Sequence, residues 1–138
     1  MKLRECKLVS DAGLPRIDVN DLEPLWISDY YDGPLAGAVI HSGELSSYVL
    51  AEEEPPPYTE GWCRRYWLIV LTPAQRDEVR YWHELFRTHV GTHWDHHPAG
   101  TEPGHVKPRD GHHLFHEPYS TRKPMILDDN DVVGWFQF

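Results

Sequence analysis

The chain has 138 residues, of which 40% are apolar and 25% charged, and its six Trp, seven Tyr and four Phe supply the bulk for a core. This composition excludes a disordered chain, and the length suits one domain spanning residues 1–138. Thirteen Lys and Arg stand against 22 Asp and Glu, and the resulting net charge of −9 opposes binding to nucleic-acid phosphates or to an anionic membrane surface.

Leu3 to Val9 and Ile17 to Val19 are short apolar fragments separated by Gly13 and Pro15, suited to one or two short strands. Strands are then expected over Leu25–Ser28 and Leu35–His41, joined by a turn at Asp32-Gly33-Pro34, because Gly accepts positive φ and Pro fixes the exit. Ser42-Gly43-Glu44 reads as a second tight turn before a strand over Leu45–Ala51. The segment Glu52 to Gly61, EEEPPPYTEG, reads as a loop, since its prolines lack donors and its three adjacent glutamates repel one another. Cys63–Leu71, CRRYWLIVL, alternates between two apolar faces and is expected to be a central strand covered on both sides.

Thr72-Pro73-Ala74-Gln75 has the form of a helix start, with Thr as N-cap, Pro at the first position and Gln closing a capping box. The helix runs to about Val90, with Gly91 beyond its end. At 100° per residue, Val79, Trp82, Phe86 and Val90 form an apolar stripe widened by Leu85, while Asp77, Arg80, Glu84 and Arg87 lie opposite. The stripe is expected to pack on the sheet. Thr92–Gly111 is a long His-, Gly- and Pro-rich loop, expected to be functional or mobile. Short strands are expected at His112–His116 and Pro124–Leu127, and a final strand in VVGWFQF. The fold class is therefore α+β: an antiparallel sheet of about four to six strands with one main amphipathic helix.

The longest apolar run, Tyr66–Leu71, falls far short of the ~18–20 residues that span a bilayer, and MKLRECKLVS lacks the apolar core of a secretion signal. A soluble, cytoplasmic protein is expected. Only Cys6 and Cys63 are present, and no Cys-x-x-Cys spacing offers a thiolate zinc site.

Charge and histidine are distributed in opposite directions. Residues 1–60 hold twelve acids against four bases, whereas nine of the ten histidines fall between His83 and His116. An acidic surface beside projecting aromatics suits a basic protein partner. Asp29, Tyr30, Tyr31, Asp32, Glu52, Glu53, Glu54 and Tyr58 are the candidate contacts of such a non-enzymatic protein-binding module, of inhibitor or immunity type. The alternative is a His-rich metal-binding protein, extending to a metal-dependent hydrolase. Its candidate ligands are His93, Asp95, His96, His97, His113 and His116, imidazoles and carboxylates of the kind zinc accepts. The strand expected at His112–His116 would place His112 and His116 on one face and His113 on the other. Asp95-His96-His97-Pro98 is similar over four residues to the ββα-metal nucleases, but the Asn and the helix that should follow are absent. No GxSxG elbow, HExxH pair or nucleotide-phosphate loop is present, so no catalytic residue is assigned.

Overall fold

Short polar turns between runs of β-branched and aromatic residues favour a meander, and the chain forms one. The computed structural model describes residues 8–30, 33–54, 63–91 and 110–138. Its antiparallel sheet follows chain order: β1 (Leu22–Tyr30), β2 (Pro34–His41), β3 (Glu44–Glu54), β4 (Cys63–Val70) and β5 (Val132–Gln137). The β2–β3 turn is tight because Ser42 and Gly43 both take left-handed φ, 51° and 79°, the geometry whose twist matches the flanking strands. His41 pairs with Glu44 across it. Gly37 in β2 has no room for a side chain, since a Cβ there would strike the Trp26 carbonyl and the Tyr48 ring.

Alternation along β4 gives the sheet two apolar faces, as its sequence requires. Tyr66 and Leu68 join Leu22, Val39, Tyr48 and Phe136 on one face, where Ile17 and Val19 pack against them. Trp67 and Ile69 join Val9 and Val132 on the other, with Ala12, Leu14 and Leu127 alongside. β4 lies between β3 and β5, flanked on both edges and buried on both faces. The outer edge of β5 is partly occupied: the Ile17 N–H donates to the Trp135 carbonyl at 2.7 Å, and the Trp135 N–H donates to the Pro15 carbonyl at 3.1 Å.

Both outer strands are introduced by the same local device. In Asp18-Val19-Asn20-Asp21 and Asp128-Asp129-Asn130-Asp131 the first Asp accepts the Asn N–H, at 2.9 Å in each case. Each forms a single 3-10 turn that delivers the chain into β1 or β5. A side-chain acceptor replaces one backbone bond in such turns, which is why Asp favours them.

Four expectations change. Glu52–Glu54 belong to β3 rather than to a loop, because Arg65 and Arg64 stand opposite Glu52 and Glu53 in the ladder and turn repulsion into attraction. His112–His116 is not a strand: α2 (His113–Thr121) occupies this stretch, where Phe115 and Tyr119 recur at helical spacing. Pro124–Leu127 has no regular structure, and Leu127 instead packs beneath the sheet. Near the N-terminus Val9–Ala12 is a 3-10 turn, and Arg16 makes only a single parallel bridge to Trp135. Leu3–Lys7 and most of the long loop, residues 92–109, lie outside the described residues.

The described residues group into two compact units, one within 1–72 and 126–138 that holds the sheet and one within 73–125 that holds both helices. In the helical unit α1 (Pro73–His89) begins at the expected proline. It stops where Gly91 takes φ 99°, and the Val90 and Gly91 N–H groups both donate to the Phe86 carbonyl. Phe86 is the buried member of the expected stripe, and it meets Phe115 of α2 with ring centres 5.3 Å apart. Trp82 is half-buried and contacts Phe115 and Tyr119 edge-on.

Candidate functional site

The sheet unit carries the whole net charge. Residues 1–72 and 126–138 hold fifteen acids against six bases, a difference of −9, whereas residues 73–125 hold seven of each. The strands then sort these charges along their length. In an antiparallel meander β1, β3 and β5 run one way, so the start of β1, the β2–β3 turn and the start of β5 share one end of the sheet. Asp18, Asp21 and Glu23 lie at the start of β1, Glu44 at the turn, and Asp128, Asp129 and Asp131 at the start of β5. All are exposed except the half-buried Asp131. They are spread over a sheet about 19 Å wide at ~4.8 Å per strand spacing.

The other end is partly neutralised: among the described residues, Arg64 and Arg65 stand there against Glu52, Glu53, Glu54 and Asp29. Arg64 Nε lies 2.6 Å from Glu53 Oε1. Arg65 reaches Glu52 Oε1 at 2.6 Å and Glu54 Oε2 at 3.3 Å. The second Glu52 oxygen accepts the Val9 N–H at 2.7 Å. Burial works against the charge on Arg65, but Cys63, Glu54 and Glu52 outweigh it and hold the guanidinium above its usual pKa. Of the expected partner contacts, Glu52, Glu53 and Glu54 are thus engaged within the sheet. Asp29 is exposed and Tyr30 half-buried at this same end. Tyr31, Asp32 and Tyr58 lie outside the described residues. In the sequence, the acids of these two turns at the acidic end are marked only by the repeat of Asp-x-Asn-Asp ahead of two strands.

Beside the first of these turns is a depression of about 350 Å³ lined by Arg16, Ile17, Asp18, Val19 and Gln137. The Arg16 guanidinium lies 5.3 Å from the Trp135 ring centre, a cation–π contact that fixes the side chain against the sheet. Cys63 carries a free, buried thiol, the setting of an inert strand cysteine.

Of the expected metal ligands, His93, Asp95, His96 and His97 lie outside the described residues, while His113 and His116 are exposed on α2. The helix brings His116 beside His112, with ring centres 5.4 Å apart, and leaves His113 and His112 6.4 Å apart. Among the described residues no three His, Cys, Asp or Glu side chains converge as a metal-holding group. None of the described helices is long and apolar enough to cross a membrane.

Among the described residues, His83 on α1 lies in an environment that disfavours its charged form. Burial, with Arg87 nearby and only partly opposed by Glu84, lowers its pKa. Its neutral form is therefore favoured in the folded state, and the stability this confers is present above the unfolded value of about 6.5 and lost as pH falls below it. Urea melts between pH 7.5 and 5 should show a larger loss of stability for the natural chain than for His83→Gln; equal losses would remove His83 from the account.

No protein-family profile, no curated protein and no solved structure matches the chain.

Proposed function

We propose that the protein is a cytoplasmic, non-enzymatic binding module, of inhibitor or immunity type, whose acid-lined sheet end engages a basic protein. The observation that carries this reading is the segregation of charge: the sheet unit holds the entire −9, and its paired arginines stand at the opposite end from the acidic turns. A one-sign surface steers an oppositely charged partner and rejects nucleic acid. The Asp-x-Asn-Asp turns fix several carboxylates on short, hydrogen-bonded loops, so less side-chain and backbone freedom is lost on docking.

Capture of partners from a native lysate at about 0.05 M and about 0.5 M salt tests the reading, since exposed charges are screened over a few ångströms at the higher concentration. The natural chain should retain a basic protein only at low salt. A variant with Asp18, Asp21, Asp128 and Asp129 changed to Asn should lose it while staying folded, because an Asn side-chain oxygen still accepts the turn hydrogen bond. A partner retained equally by the variant would overturn the proposal.

A further inference from the structure

The most chemically pointed arrangement outside the acidic end is the first turn of α2. Read as a strand, DGHHLFHEP puts His112 and His116 on one face but about 13 Å apart; folded as a helix that starts at His113, it sets them one turn apart. Their rings are 5.4 Å apart and inclined by 70°. Two imidazoles sharing one tetrahedral ion at a metal–nitrogen distance of about 2.0–2.1 Å have their ring centres about 5 Å apart. The pair therefore stands close to the separation that chelation requires before any ion is present. His113, at 6.4 Å from His112, is not set in this way.

We propose that His112 and His116 hold a divalent transition-metal ion of the zinc and copper(II) class across the first turn of α2. Imidazole is the ligand such ions share, and harder ions such as magnesium or calcium take oxygen instead. His116 is exposed and His112 half-buried, so the ion has access to the pair and water completes its coordination. The positive end of the helix dipole opposes a cation here, and the exposed carboxylates of Asp110 and Glu117, which bracket the pair in sequence, act in the opposite direction. Helix formation and ion binding reinforce one another, because an ion bridging residues 112 and 116 is held only when that turn is helical. The proposal stands apart from the acidic sheet end and does not depend on it.

Titration of the full chain with Zn²⁺, followed by NMR of the histidine rings, tests it. The His112 and His116 resonances should move together and saturate at one ion, and they should do so equally in a chain with His93, His96 and His97 changed to Gln. His112→Gln or His116→Gln should each weaken zinc binding at the remaining ring by about tenfold or more. These sites lie at or near solvent, and unchanged circular dichroism of the ion-free variants would show that α2 persists. Zinc that leaves both rings unmoved, that binds only through the 93–97 histidines, or that binds as tightly after either substitution would overturn the proposal.

Discussion

Phe136→Ala should destabilise the sheet unit by about 3–5 kcal/mol, the range for a large aromatic removed from a core that cannot collapse around the space. Phe136 is fully buried, at 0% exposure. Its ring stacks on Tyr66 at 5.4 Å and meets Tyr48 edge-on at 5.7 Å. Tyr66 is itself tied down by its hydroxyl, which donates to the Pro34 carbonyl at 2.8 Å. Removing Phe136 thus leaves a gap lined by side chains on β3 and β4 that are held in place and cannot fill it. Phe138 touches the same three rings but is 50% exposed, and Phe138→Ala should cost about 1 kcal/mol. Denaturant midpoints of the two variants give the comparison directly. Equal losses would mean that Phe136 is not the more deeply buried of the two rings.

Phe115→Ala should have an effect of the same size on the helical unit, again about 3–5 kcal/mol. Phe115 is 3% exposed and sits where α1 and α2 meet, edge-on to Phe86 and Trp82 and stacked on Tyr119 at 4.8 Å. Its neighbour Leu114 is 51% exposed, so Leu114→Ala should change stability by no more than about 0.5 kcal/mol. The contrast between adjacent positions, read as helical circular dichroism against denaturant, reports which face of α2 is buried. A larger loss from Leu114→Ala would reverse that face and move the His112–His116 pair with it.

Much of this architecture can be read from residues that act locally. Pro73 and Gly91 bound α1 because one has no N–H to lose and the other tolerates positive φ; the alternation over Tyr66–Ile69 identifies a strand buried on both faces. What escapes is decided by residues distant in the chain. Glu52–Glu54 look mutually repulsive until Arg64 and Arg65 arrive opposite them, and a stretch with Pro118 reads poorly as a helix until Phe115 finds Phe86 and Trp82. The same holds for the candidate site. An acidic first half is visible in the sequence, but the acidic end of the sheet also draws on Asp128, Asp129 and Asp131, which return only with β5. His112 and His116 are four residues apart in the sequence, and their significance rests on the helix.

The binding account makes one claim that net charge alone does not: location matters. Two charge-matched variants separate the possibilities, Asp21→Asn at the acidic end and Asp29→Asn at the opposite end of β1; both side chains are exposed. The affinity of the captured basic partner should be measured for each variant as a function of salt. The account predicts a loss of about tenfold and a shallower salt dependence for the first variant, with the second within about twofold of the natural chain. Equal losses from the two variants would contradict it, as would the absence of any salt-sensitive protein partner.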